Sequence, residues 1–257
     1  MCWVNVPLTV KPAHILLLAG TFEARKLAQG IPETFPDAGL TVSFAGVVSD
    51  LPDLGVRTRI GGFGGLDGLK TFMGAEGVTH IIDATHPFAA QMSRTASEAA
   101  SALSVPLVRL ERPAWSSEAE DQWQSVPGVA AAEQALRPGG RVFLAVGRKE
   151  IGKFTGRTDI YGLVRMIEPP AEPLPDTWDL VLSRPSQDVV AEIDLFKRHG
   201  IDCVVSKNSG GTRSFAKIAA ARALQLPVIM IERPLLPEAV CASSPSAVLE
   251  KLARLLA

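Results

Sequence analysis

His14-Ile15-Leu16-Leu17-Leu18-Ala19-Gly20-Thr21-Phe22-Glu23-Ala24 is the stretch that decides the architecture of this chain. The apolar run from His14 to Leu18 reads as a strand buried on both faces. Ala24, Leu27, Ala28 and Ile31 then recur at i, i+3, i+4 and i+7, which is one face of a helix. Between them Ala19-Gly20-Thr21 makes a tight strand-to-helix turn, the opening of a βαβ unit. The N–H groups and dipole at the start of such a helix favour an anion such as a phosphate. A glycine serving only the tight turn explains Gly20 equally well.

The same alternation continues along the chain. Residues 41–45, 78–82 and 106–110 read as further strands, the last two joined by a helix carrying Phe88, Met92, Ala96, Ala99 and Leu103, with Pro87 in its first turn. The second half repeats the plan with strands at 141–145, 180–182, 203–206 and 228–231. Its helices carry Val190, Ile193 and Phe196, then Phe215, Ile218, Ala219 and Arg222, and a last helix over 247–256 sets Val248, Leu252 and Leu255 on one side. Strands without strict alternation, each followed by an amphipathic helix, predict parallel sheets covered on both faces. The polar, aperiodic stretch 113–122 marks a boundary, giving domains of residues 1–117 and 118–257.

An internal repeat supports two related halves. Leu103-Ser104-Val105-Pro106-Leu107-Val108-Arg109-Leu110-Glu111-Arg112-Pro113 matches Leu224-Gln225-Leu226-Pro227-Val228-Ile229-Met230-Ile231-Glu232-Arg233-Pro234 at an offset of 121. Carried upstream, the offset aligns Thr85-His86-Pro87 with Ser206-Lys207-Asn208. The expected fold is α/β, two Rossmann-like parallel-sheet domains facing each other across a cleft.

Composition narrows the function classes. At 257 residues, 47% hydrophobic and 21% charged, the chain is globular. A net charge of −1 and the lack of a Lys/Arg run give nucleic acid no field to follow. Cys2, Cys203 and Cys241 are too scattered for a disulfide framework or a zinc site, so no metal is expected and a reducing, cytoplasmic compartment fits. Met1 to Ala13 has no apolar stretch long enough for a signal peptide, and nowhere do 18 apolar residues run together, so neither export nor a membrane partner is expected.

In open parallel sheets ligands bind beyond the carboxyl ends of the strands, so residues following each strand carry the functional reading. Gly20, Thr21, Glu23 and Ala24 follow the first strand. The second ends Ser43-Phe44-Ala45-Gly46-Val47 without the acid that grips the ribose hydroxyls of NAD, which makes NADPH easier to accept than NADH. Ser43 or Ser49 could bond its 2′-phosphate, although Asp50 is near. Arg59-Ile60-Gly61-Gly62-Phe63-Gly64-Gly65 has four glycines in five residues, a backbone suited to close approach of a ligand, with Arg57 and Arg59 supplying charge. Asp83-Ala84-Thr85-His86-Pro87-Phe88-Ala89 sets polar groups at a strand end. There Asp83 is an N-cap or a ligand residue, and His86 a structural or a ring-contacting one. Ser206-Lys207-Asn208-Ser209-Gly210-Gly211-Thr212, followed by Lys217, is a receptor for carboxylate or phosphate but not a Walker A loop.

Taken in order, Gly20-Thr21-x-Glu23-Ala24, the Gly61 to Gly65 run, Asp83-Ala84-Thr85-His86-Pro87-Phe88-Ala89, Arg112-Pro113-x-Trp115, and Lys207-Asn208-Ser209-Gly210-Gly211 with Lys217 resemble the precorrin-6A reductase family of cobalamin biosynthesis. That resemblance implies an oxidoreductase that uses NADPH to deliver hydride to a carbon–carbon double bond of precorrin-6A, a polycarboxylate tetrapyrrole, giving precorrin-6B. It implies that Gly20, Thr21, Glu23, Ala24, Ser43, Gly61, Gly62, Phe63, Gly64, Asp83 and Thr85 serve the cofactor. His86 and Lys207 are then the catalytic candidates. Arg112, Ser206, Asn208, Ser209, Gly210, Gly211, Lys217 and Arg233 would face the macrocycle, and the proton that follows the hydride would come from His86 or a water. The chain departs from the family at Val47-Val48, where an Arg-Thr pair is usual, at Arg184-Pro185, usually Arg-Gly-Pro, and at Phe215, where Tyr is common. Alternatives are a cobalt-precorrin-6A reductase using NADH, a non-catalytic tetrapyrrole or nucleotide carrier, and a nucleotide-sugar transferase.

Overall fold

The computed structural model describes residues 12–44, 46 and 54–257. The expectations placed on Cys2, Ala45, Val47, Val48, Ser49 and Asp50 lie outside these residues. In chain order the elements begin with β1 (His14–Ala19), α1 (Phe22–Thr34), β2 (Gly39–Phe44), β3 (Arg57–Ile60), α2 (Leu66–Glu76), β4 (His80–Asp83), α3 (Ala90–Leu103) and β5 (Leu107–Leu110). They continue with β6 (Trp123–Val126), α4 (Val129–Gln134), β7 (Arg141–Ala145), a 3₁₀ turn (Ile151–Lys153), β8 (Tyr161–Met166), β9 (Asp179–Leu182) and α5 (Val189–Arg198). The last are β10 (Cys203–Lys207), α6 (Ala216–Ala223), β11 (Val228–Ile231), β12 (Val240–Ala242) and α7 (Pro245–Leu256).

The strands form two six-stranded sheets in which the pairings are parallel, ordered β12-β5-β4-β1-β2-β3 and β6-β11-β10-β7-β8-β9. The first order is the doubly wound arrangement, in which the chain leaves β1 in one direction to β2 and β3 and in the other to β4 and β5. β1 is buried almost throughout, as its unbroken apolar run requires. One core packs Leu27, Ala28 and Ile31 of α1 and Val248 and Leu252 of α7 against Ile15, Leu17 and Val42. The other packs Leu69 and Met73 of α2 and Ala96 and Ala99 of α3 against Leu16, Leu18 and Ile81. The second sheet is covered in part by Leu195 and Phe196 of α5 and Ile218 and Ala221 of α6.

The chain divides into two compact units, one comprising residues up to Arg112 together with Leu236–Ala257, the other Pro113–Leu235. This corrects the assignment of the whole of 118–257 to a second domain. The C-terminal segment returns to the first sheet, where Val240 pairs with Val108 and α7 packs on α1. An amphipathic helix shows which face it buries but not against which sheet, and burying Val248 and Leu252 gives the return roughly 1.5–3 kcal/mol per side chain.

Four strands lack a sequence signature of their own. β3 is Arg-Thr-Arg-Ile, and β6 and β12 are likewise edge strands, of only four and three residues, too short to show a pattern. β8 is interrupted by Gly162, where a Cβ would lie 2.4 Å from the Trp178 ring, so the glycine is the seat of that indole. Helix α3 begins at Ala90, leaving Pro87 and Phe88 in the preceding turn. The repeat shifts as well. Ile81 pairs with Leu107 while Val204 pairs with Val228, so with Leu107 and Val228 equivalent, Asp83 corresponds to Ser206 and Ala84 to Lys207. The offset of 121 holds for β5 and β11 but is two residues short for β4 and β10.

Candidate active site

In the first unit the switch point lies between β1 and β4, and the turns that follow these strands meet there. Thr21 caps α1, accepting from the Ala24 N–H at 3.1 Å, and donates its hydroxyl to the Ala84 carbonyl at 3.0 Å. Gly20 thus lies against the backbone of the β4 turn. A Cβ placed on it would come no nearer than 3.8 Å to the His86 nitrogen and 3.9 Å to the Thr85 Cα. Ala24 is fully buried with its N–H engaged by the cap. Glu23 forms an ion pair with Arg112 at 2.8 Å. An acid in the first turn suits the helix dipole but would repel a phosphate, and Arg112 offsets that charge.

Asp83 is 1% exposed and Arg109 5%, and the two pair at 3.4 Å. Asp83 Oδ1 also accepts from the Thr85 N–H at 3.2 Å and the Thr85 hydroxyl at 2.7 Å. Arg109 extends to the Pro237 carbonyl and the Ser97 hydroxyl. These bonds fix the path of the chain into His86. Its Nδ1 accepts from the Phe88 N–H at 3.3 Å, so the neutral ring carries its proton on Nε2.

The glycine-rich segment follows β3. Gly61, Gly64 and Gly65 have φ of +114°, +79° and +89°, conformations that side-chain-bearing residues rarely adopt. Gly61 and Gly62 turn their carbonyls onto the Arg59 guanidinium, which stacks over Phe63 at 3.8 Å and bonds Ser43 Oγ at 2.8 Å.

In the second unit the switch point lies between β7 and β10. Lys207, the last residue of β10, extends its ammonium to Glu150 at 2.8 Å. The loop after it is held internally. Asn208 uses Oδ1 on the Trp115 N–H and Nδ2 on the Trp115 carbonyl, and the Trp115 indole donates to the Gly211 carbonyl at 2.7 Å. Ser206 and Ser209 turn their hydroxyls to the Lys207 carbonyl. Arg233 binds the carbonyls of Asn208 and Ser209. Gly210, at φ +66°, passes so close to Pro113 and Arg233 that a Cβ would lie 2.2 Å from the Pro113 carbonyl oxygen. Lys217 is buried, donating to the Ser214 carbonyl at 2.5 Å and lying 4.9 Å from the centre of the Trp115 ring. Burial pushes its pKa down to about 7, against the opposing field of Glu192. Arg112, Asn208, Lys217 and Arg233, each expected at the macrocycle, therefore all have partners within their own unit.

Glu150 went unnoticed in the sequence. The signal was present in Ala145-Val146-Gly147, a strand running into a glycine turn as at Gly20, and Gly147 has φ +93°. A single 3₁₀ turn rather than a long helix follows it, so this unit lacks the helix N-terminus that α1 supplies in the first. Among the described residues no group of three or more His, Cys, Asp or Glu is disposed to hold a metal ion, and no helix is long and apolar enough to cross a membrane.

Fold and site define a two-unit α/β protein with a Rossmann-like first unit, whose polar residues gather at the carboxyl ends of its strands. The chain belongs to the precorrin-6x reductase CbiJ/CobK family, whose sequence model matches residues 14–253. It is an oxidoreductase family of cobalamin biosynthesis. The chain is 44% identical to a precorrin-6A reductase of Rhodococcus erythropolis, over 88% of this chain and 91% of that one. It is 43% identical to one of Rhodobacter capsulatus, over 90% and 92%. A cobalt-precorrin-6A reductase of Priestia megaterium is 32% identical, over 86% and 90%. A solved structure described as CobK precorrin-6A reductase superposes with a TM-score of 0.87 at 39% identity, covering 94% of this chain and 96% of that one.

Proposed function

We propose that this chain reduces precorrin-6A to precorrin-6B, taking hydride from NADPH. The observation that carries the cofactor half is Gly20. Among the described residues a Cβ at Gly20 would make only ordinary contacts, so the face of the turn at the start of α1 is open to a ligand lying on it. The residues fit a dinucleotide: Gly20 and Thr21 precede α1, Glu23 is neutralised by Arg112, and the described end of β2 carries Ser43 rather than an acid. The higher identity to precorrin-6A reductases than to the cobalt-precorrin enzyme favours the metal-free substrate.

When bound, the nicotinamide supplies the hydride. The chain's own residues orient and balance charge. Asp83 and Arg109 hold Thr85 and the turn into His86 at the nicotinamide end of the first unit, and the proton that the carbon must gain comes from His86 as an imidazolium, which is left neutral, or from a water. In the second unit Lys207 receives a carboxylate of the macrocycle, exchanging Glu150 for it, while Asn208, Gly210, Arg233 and Lys217 keep the loop in shape.

Purified protein should consume NADPH and precorrin-6A one for one. Lys207→Ala should raise KM for precorrin-6A roughly 10- to 100-fold, the value of one charge-assisted hydrogen bond, and leave the Kd for NADPH unchanged. NADPH oxidation indifferent to the tetrapyrrole would overturn the reading, and equal loss of both affinities would remove Lys207 from the substrate.

A further inference from the structure

We propose that Arg59 is the residue by which this chain distinguishes a 2′-phosphorylated adenine dinucleotide from an unphosphorylated one. The inference rests on the NADPH reading and names the part of the first unit that would enforce it. In this fold the ribose nearest the adenine lies at the carboxyl end of the second strand. Arg59 stands beside that point, because β3 runs parallel to β2 and places Arg59 opposite Ser43, one residue from the end of β2.

The charge of Arg59 is held in place, and no described residue neutralises it. Its guanidinium donates from Nη1 to Ser43 Oγ at 2.8 Å and to the Gly61 carbonyl at 2.9 Å, and from Nη2 to the Gly62 carbonyl at 3.0 Å. All three acceptors are uncharged, and among the described residues no carboxylate lies within ion-pair distance of it. Arg57, two residues earlier on the same strand, is instead paired with Glu76. The ring of Phe63 lies 3.8 Å beneath the Arg59 plane and that of Phe72 5.2 Å away, so the side chain is immobilised rather than waving in solvent. Partial burial without a counter-charge pushes its pKa below the usual arginine value.

Among the described residues three of the five N–H donors have acceptors, which leaves the Nε hydrogen and one on Nη2. Those two nitrogens share one edge of the guanidinium, the fork that grips two oxygens of a phosphate. Ser43, having accepted from Arg59, retains its own hydroxyl hydrogen to donate. An ordered cation with an open fork beside the ribose position is a receptor for a dianionic monoester there. The paired glycines that follow it supply the carbonyls that aim it.

The test is calorimetric titration of the full chain with adenosine 2′,5′-bisphosphate and with 5′-AMP. The wild type should bind the bisphosphate roughly 10- to 100-fold more tightly, with the steeper loss of affinity on adding salt. Arg59→Gln should bring the ratio close to one with 5′-AMP affinity little changed, and Arg59→Lys, which keeps the charge but not the fork, should fall between. A ratio retained in Arg59→Gln overturns the assignment. So does a wild-type ratio near one with no difference in salt dependence, a readout independent of how any variant folds. If that wild type still reduces precorrin-6A with NADH, the reductase reading survives and only the role of Arg59 falls. A chain that binds no nicotinamide dinucleotide takes both away.

Discussion

Gly20→Val should fold like the wild type and lose NADPH affinity by on the order of 100-fold. Among the described residues the nearest atoms to a Cβ at Gly20 are backbone atoms of Thr85 and His86 at 3.8–3.9 Å, which is ordinary contact. The branched side chain occupies the space above the turn, where a pyrophosphate would approach the start of α1. Displacing that group removes about two charge-assisted hydrogen bonds, each worth ~1.5–3 kcal/mol, and each 1.4 kcal/mol is tenfold in affinity. Thermal unfolding and fluorescence titration with NADPH separate the two effects. An unchanged Kd would mean that the dinucleotide does not lie on this turn.

Asp83→Ala should cost the first unit about 3–5 kcal/mol, because it strands the Arg109 guanidinium where only 5% of that residue is exposed. For a unit of this size the loss lowers the melting temperature by roughly 6–20 °C. The loss reaches beyond one pair, since Arg109 also holds the Pro237 carbonyl of the returning C-terminal segment and Asp83 accepts from both the N–H and the hydroxyl of Thr85. The double variant Asp83→Ala, Arg109→Met should recover part of the stability by removing the stranded charge. A double variant no more stable than the single would show that the buried charge is not the cause. Scanning calorimetry of the three proteins decides it.

Much of the first unit was legible because its signals are local. The run His14 to Leu18, the turn at Gly20 and the stripe Ala24, Leu27, Ala28, Ile31 specify strand, turn and helix within 18 residues, and the structure builds them so. β3 escaped because an edge strand with Arg57 and Arg59 buries too little to show a pattern. β8 escaped because Gly162 answers to Trp178, 16 residues away in sequence. The return of α7 to the first unit and the pairs Glu23 with Arg112 and Lys207 with Glu150 depend on chain topology, which no periodicity encodes. For the same reason the sequence offered Arg112, Asn208 and Arg233 to a ligand, while the fold had already given them partners.

The central step is passage of a hydride from a nicotinamide to a carbon of the macrocycle, with the protein supplying position and charge. Reduction of precorrin-6A with NADPH deuterated at the transferring face of C4, followed by mass spectrometry of the product, measures that step directly. One deuterium is expected in each precorrin-6B formed, held at carbon and retained on exchange in ordinary water. Product that carries no deuterium from the cofactor, whichever face of C4 is labelled, would contradict this transfer.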